Sequence, residues 1–147
     1  MKVTFESVNN VEAEVIIKGE ITNPEVDALL EFIKGRNAGS AKKLVLFKDD
    51  EQFLLDPEEI VYIEVEDSTV KAVTTNGTYD SKKKLYELKE MLKSEPFAQI
   101  NKGTLVNIDF VKSVSAEFSG NYTLRLKTGK EILTISRKYF KEFKNKI

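Results

Sequence analysis

The sequence predicts a mainly β chain with short helices, an α+β fold in which residues 42–147 carry the sheets and residues 1–41 form a small ββα unit and linker. Three observations lead there. From residue 42 onward, strand-length apolar segments follow one another with little between them. Asn76-Gly77, the strongest hairpin dipeptide in the chain, stands between two of those segments. Helical spacing of apolar residues is confined to short stretches. With 147 residues and 41% hydrophobic content, the chain is long enough to bury a core of its own.

The elements follow in order. "VTFES" and "EAEVIIKG", within residues 3–19, read as two strands separated by the turn-forming Asn9-Asn10. In the first helix Asn23 is the N-cap and Pro24 the first helical residue. Val26, Leu29, Leu30 and Ile33 then recur at helical spacing, and Gly35 ends the run. "GRNAGSA", residues 35–41, is small and polar and reads as a linker. A ββα unit of this size cannot bury a core alone and is expected to pack on a neighbour or on another copy.

Beyond the linker, "KKLVLFK", "QFLL", "VYIEVED", "TVKAVTT" and "GTYDS" read as strands, with one helical turn capped by Asp56 and opened by Pro57. A helix is predicted over residues 81–93, with Leu85, Leu88 and Leu92 as its buried stripe. "AQI", "LVNI", "VKSVSAEF", "YTLRLK" and "EILTIS" follow as strands. A basic helix closes the chain from residue 137, with Tyr139, Phe140 and Phe143 placed to dock on the sheet.

Composition narrows the function. The chain has no cysteine and no histidine, which removes a disulfide framework, the usual transition-metal ligands and the commonest nucleophile–base pairs. The acidic pairs Asp49-Asp50 and Glu58-Glu59 fall in turn or helix-starting contexts, where solvation or capping accounts for them. No enzyme and no cofactor are expected. The apolar runs are far below the roughly 18 residues that cross a bilayer, and no export signal is visible, so the expectation is a soluble cytoplasmic protein.

Charge is distributed unevenly. Residues 42–67 hold three basic and nine acidic side chains, whereas residues 68–147 hold sixteen basic and eight acidic. A net +8 over the second stretch suits a polyanionic partner. Three features there do not follow from packing. Lys82, Lys83 and Lys84 fall in the first turn of a predicted helix, where the macrodipole disfavours cations unless a phosphate is near. In "FAQINKGTLVNIDFVKSV" a polar loop interrupts a strand-like run: Asn101, Lys102 and Thr104 are expected to project donors outward, with Gly103 permitting close backbone approach. Asn107, between Val106 and Ile108, is expected to point inward and satisfy a backbone group. In "TISRKYF" Ser136 is a predicted N-cap, which places Arg137 and Lys138 at a helix start, again against the dipole.

Taken together, "LDPEEIVYIEVEDSTVKAVTTNGTYDSKKKLYELKEML", the "FAQINKGTLVNIDFVKSV" loop and "EILTISRKY" resemble the LytTR-type DNA-binding domain of bacterial transcription regulators over about residues 42–147. The resemblance implies a fold of small antiparallel sheets and short helices. Such a domain reads double-stranded DNA by setting loops, not a recognition helix, into successive major grooves. It implies contacts from Lys102, from Arg137 and from the loop after the early strand, at Ser68 or Thr69. The sequence departs from the family pattern where Gln99 replaces a frequent arginine and Asn101 a frequent histidine.

Many relatives carry a phosphorylatable receiver domain far larger than the 41 residues that precede this region, so the resemblance is to the stand-alone subfamily. That implies an input other than aspartyl phosphorylation and a small membrane protein as regulator. The expectation is a sequence-specific transcription regulator, response-regulator-like in its DNA domain, binding paired short repeats as a homodimer. The competing reading is a protein-interaction or membrane-tethered module that no longer reads DNA. An RNA-binding β module fits less well, since the aromatics stand at core-periodic positions.

Overall fold

β3 (Ile60–Glu66) is the strand around which the sheet is built. Its first four residues, Ile60, Val61, Tyr62 and Ile63, are all buried, which requires cover on both faces. A bulge between Ile60 and Tyr62 breaks the alternation, sending Ile60 and Ile63 to one core and Val61 and Tyr62 to the other. The fold is seen in a computed structural model that describes residues 16–20, 22–39 (backbone only from 34), 43–129 and 131–147.

The chain divides into two compact units, Met1–Arg36 and Asn37–Ile147. In the first, the expected strand "VTFES" and the first half of "EAEVIIKG" lie outside the described residues. The described end of the second, residues 16–19, is irregular and not strand. Asn23 caps α1 (Pro24–Gly39) as expected, its Oδ1 accepting from the Glu25 N–H at 2.9 Å. The helix does not stop at Gly35 but runs on to Gly39, through most of the segment read as linker. An internal glycine weakens a helix by about 1 kcal/mol relative to alanine, too little to end it unaided.

In the second unit, β1 (Leu44–Lys48), β2 (Glu51–Leu55), β4 (Thr69–Thr74), β5 (Gly77–Ser81), β6 (Phe97–Asn101) and β7 (Thr104–Asn107) join β3 in a seven-stranded antiparallel sheet of order β2-β1-β5-β4-β3-β7-β6. β8 (Val111–Ala116), β9 (Tyr122–Leu126) and β10 (Ile132–Ile135) make a second antiparallel sheet of order β10-β9-β8. Two-residue turns with both residues at positive φ close β1–β2 (Asp49-Asp50) and β3–β4 (Asp67-Ser68), the geometry that matches strand twist in a tight hairpin. Gly77, half of the predicted hairpin cue, is instead the first residue of β5. Thr75-Asn76 form that turn, stitched by the Thr74 hydroxyl, which donates to the Gly77 carbonyl at 2.8 Å and accepts from the Asn76 N–H.

Two cores result. α2 (Leu85–Met91) covers one face of the large sheet, where Leu88 and Leu92 pack with Leu44, Leu46, Ile63 and Leu105. The other face meets the small sheet and α3 (Arg137–Lys146), with Phe143 buried among Ala98, Ile100, Leu124 and Ile135. Phe140 stacks on Tyr122 at 3.7 Å between ring centroids. Tyr139, expected to dock beside them, is only half-buried and stands outside that core. Asn107 points inward as expected, donating to the Ile60 carbonyl at 2.9 Å and accepting from the Asp109 N–H at 3.1 Å.

α2 is shorter than the predicted helix over 81–93, and this moves the lysines. Ser81 ends β5, Lys82 and Lys83 form a bend, and Lys84 occupies the N-cap position, so none of the three is in the first helical turn. The reason is local. The Ser81 hydroxyl accepts from the Lys83 N–H at 3.0 Å, and the Glu87 carboxylate reaches back to the Lys84 N–H at 3.2 Å, so the helix can start only at Leu85.

Candidate nucleic-acid interface

Antiparallel pairing decides which loops share an end of the sheet. β3 ends beside the start of β7, with Glu64 opposite Thr104, and β4 starts beside the end of β5, with Val70 opposite Ser81. The β3–β4 tip (Asp67-Ser68), the β6–β7 tip (Lys102-Gly103) and the Lys82–Lys84 bend therefore line up along one edge. Strand spacing puts the two tips about 10 Å apart, and the bend on β5 about 19 Å from β6.

The head of α3 joins the same edge through β6. The Ser136 N–H donates to the Ile100 carbonyl at 2.8 Å, and the Asn101 side-chain N–H donates to the Thr134 carbonyl at 3.0 Å. Residues distant in sequence, Ser68, Thr69, Lys82, Lys83, Lys84, Lys102, Gly103, Ser136, Arg137 and Lys138, thus converge on one rim.

Individual side chains differ from expectation. Asn101 does not project outward: it binds β10 on one side, and on the other its Oδ1 accepts from the Gly103 N–H at 3.0 Å, in the Asx geometry open to asparagine in a tight turn. Thr104 is also turned inward, at 7% exposure, because it is the first residue of a strand covered on both faces. Lys102 is the exposed cation of that tip. Gly103 shows no positive φ, and an added Cβ would lie 3.7 Å from the Val65 Cβ, an ordinary contact. Neither backbone conformation nor crowding demands glycine there.

The Ser136 side chain makes no cap bond, and the Arg137 N–H is held by Asn121 Oδ1 at 3.2 Å. Arg137 and Lys138 are exposed. Among the described residues no carboxylate lies within ion-pair distance of Arg137. Lys82 is not loosely solvated either: its Nζ sits 4.3 Å from the centre of the Phe47 ring. Ser68 is exposed in its turn and Thr69 is half-buried at the start of β4.

Two residues organise the rim in ways the sequence did not suggest: Gln99, which stood out only as a departure from the family pattern, and Asn121. Gln99 clamps the β6–β7 tip, donating to the carbonyls of Asn101 (3.1 Å) and Lys102 (3.3 Å) while accepting from Lys89 on α2 at 2.9 Å. A bulge between Gln99 and Asn101 lets their side chains reach the tip from different sides, Gln99 tied to α2 and Asn101 to β10, so alternation along the strand gives no signal for it. Asn121 follows a glycine between two strands, but its partner lies sixteen residues on, beyond any local pattern.

The rim is not uniformly basic. Glu64, Glu66 and Asp67 stand on the β3–β4 hairpin between the lysine bend and the Lys102 tip; Lys71 pairs with Glu66 at 3.4 Å. Burial, followed by the charges of Glu66 and Glu131, raises the Glu64 carboxyl above its ordinary pKa, against the opposing pull of Lys71. Burial, a hydrogen bond to Glu131 and the same acidic surroundings push the Tyr62 hydroxyl up.

Because the folded pKa of Glu64 is raised, its protonated form favours the fold. That contribution is complete below the unfolded pKa and is lost as pH rises through the folded one. Glu64→Gln is therefore expected to melt higher than the wild type near pH ~7 and to converge with it near pH ~3. Melting curves of both proteins across that range check it, and a difference independent of pH refutes it.

Comparison with known proteins supplies the family. Residues 50–147 match the model of the LytTr DNA-binding domain. The chain belongs to that family. The LytTr domain is a DNA-binding domain and not an enzyme, in keeping with the fold class and the absence of catalysis expected from the sequence. Its fold matches that of the LytTr DNA-binding domain of a Bacillus cereus protein described as a methyl-accepting/DNA response regulator, at a TM-score of 0.66 and 20% identity, over 72% of this chain and 97% of that one.

Among similar proteins, the sensory transduction protein LytT of Bacillus subtilis (strain 168) is 28% identical over 116 residues, 79% of this chain and 47% of its own length. This chain thus spans about half the length of that relative. An uncharacterized HTH-type transcriptional regulator of Staphylococcus aureus (strain N315) is 24% identical over 143 residues, 97% of this chain and 95% of its own. Among the described residues no helix is long and apolar enough to cross a membrane.

Proposed function

We propose that this chain is a sequence-specific DNA-binding transcription regulator that lays the rim of its large sheet on duplex DNA. The observation that carries the reading is the convergence of Lys102, Arg137 and Ser68-Thr69 at the β3–β4 tip, the positions implied as contacts by family resemblance, on one edge with the two hairpin tips about 10 Å apart. That spacing is close to the ~12 Å width of a major groove. In this reading Arg137 and Lys102 enter the groove and meet base edges. Lys82, Lys83, Lys84 and Lys138 flank it and neutralise phosphates. The β3–β4 tip carries Asp67, whose charge suits a cytosine amino group and repels a phosphate, so Ser68 and Thr69 approach bases and not backbone. Asn101, Gly103, Thr104 and Ser136 shape the rim from behind or permit close approach.

The regulator is proposed to act in the cytoplasm as a homodimer on paired short repeats. Residues 1–41, read as an N-terminal unit and linker ahead of a DNA-binding domain at 42–147, would serve self-association or a small membrane-protein regulator. Selection of bound duplex from a random pool tests this: two repeats about one helical turn apart are expected, and recovery of no common sequence overturns the reading.

Salt dependence gives a second check. With sixteen basic residues against eight acidic in residues 68–147, affinity should fall steeply with salt as counterions are released from each neutralised phosphate. Titrating labelled duplex with the full chain at several salt concentrations should give a log–log slope of about −0.9 for every phosphate contacted. A flat line would sink the proposal.

A further inference from the structure

We propose that the tip of the β8–β9 hairpin, residues 117–121, positions Arg137 for DNA, with Asn121 holding the backbone at the head of α3 and Gly120 giving the side chain its bed. The inference rests on the DNA reading above and adds residues outside the rim described there.

Two observations point to Arg137 independently. The first helical N–H groups of α3 lack intrahelical acceptors, and the Ser136 side chain supplies none. The Asn121 amide oxygen fills that place from another hairpin, accepting from the Arg137 N–H at 3.2 Å. Gly120 has a backbone reason to be glycine, and it lies against Arg137. Its φ is +91°, and a Cβ there would lie 3.4 Å from Arg137 Nη1, 3.5 Å from Cδ and 3.8 Å from Cζ. The arginine side chain lies along the glycine backbone at a distance that a Cβ would just touch, so side-chain atoms beyond Cβ would contest its space.

The hairpin tip is itself internally tied, as a platform must be. The Gly120 N–H donates to the Glu117 carbonyl at 3.2 Å, and the Glu117 N–H to the Asn121 carbonyl at 2.9 Å. The Glu117 carboxylate accepts from the Ser119 hydroxyl at 3.1 Å on one oxygen and from the Thr123 hydroxyl at 2.5 Å on the other. The acid of the tip is thereby occupied by hydroxyls, and the guanidinium keeps its donors for a ligand. A long side chain laid on a fixed surface before binding loses less freedom when it binds, which raises discrimination without any new contact.

The test uses the full chain with two duplexes, the sequence recovered by selection and a scrambled one of equal length. Asn121→Ala should lower the ratio of the two affinities by about 2- to 10-fold while leaving the scrambled duplex nearly unchanged. In an Arg137→Ala background the same substitution should lower the ratio no further. Gly120→Asn, which tolerates positive φ but places atoms where the arginine lies, should act like Asn121→Ala. Nitrogen-15 relaxation at Arg137 Nε in the free protein gives a readout without DNA, and faster motion is expected in both variants.

Additive losses in the double variant, or unchanged Nε motion in either single variant, would overturn the positioning role while the wild type still discriminates. A wild type without preference would overturn the DNA reading and this inference with it.

Discussion

Arg137→Ala is expected to weaken binding to the preferred duplex by about 1–3 kcal/mol and to random duplex by much less, because a bidentate arginine–guanine pair carries that much discrimination. Its structural grounds are specific. Arg137 is exposed at the head of α3, lies along Gly120, and has no carboxylate within ion-pair distance among the described residues. Lys83→Ala should behave differently, weakening both duplexes about equally and reducing the salt slope by about one phosphate. The contrast is sharpened by Lys82, whose Nζ is held over Phe47, leaving Lys83 the better probe of plain phosphate contact. Dissociation constants for each variant on both duplexes decide the matter. If Arg137→Ala reduced both by one factor, Arg137 would be a phosphate contact and base reading would have to come from the two turns.

Phe143→Ala is expected to destabilise the fold by about 3–5 kcal/mol, the range for removing a buried ring from a well-packed core. Domains of this size are stable by only about 5–15 kcal/mol, so the loss would be a large share of the total. Phe143 is 1% exposed and anchors α3 against β6 and the small sheet, so loosening it also frees the helix that carries Arg137. Discrimination between duplexes should therefore fall together with stability. Phe143→Leu, which fills much of the same volume, should restore most of both. Denaturant unfolding of the two variants provides the measurement. A loss below about 1 kcal/mol for the alanine variant would mean that this ring does not hold the helix.

The β class, the order of the strands along the chain, the family and the basic candidate residues were legible in the sequence, because strand periodicity, turn dipeptides and motif order are local properties. Asn23 as a cap and Asn107 as an inward amide could be read for the same reason, each being set by its immediate neighbours. Other local cues misled. Gly35 looked like a helix stop, and residues 81–84 like a first helical turn, although a single glycine does not end α1 and the Ser81 and Glu87 side chains delay α2 until Leu85.

Only the tertiary structure decided how the pieces meet. That Asn101 and Thr104 turn inward while Lys102 stays out follows from hydrogen bonds to β10 and from cover on both faces of β7, neither of which is encoded within the loop. That Asn121 caps the helix bearing Arg137 depends on a contact across sixteen residues. The common rim is likewise a product of antiparallel pairing, which places the end of one strand beside the start of another: periodicity determines that a segment is a strand, but partner and register are set by the core the segments bury together.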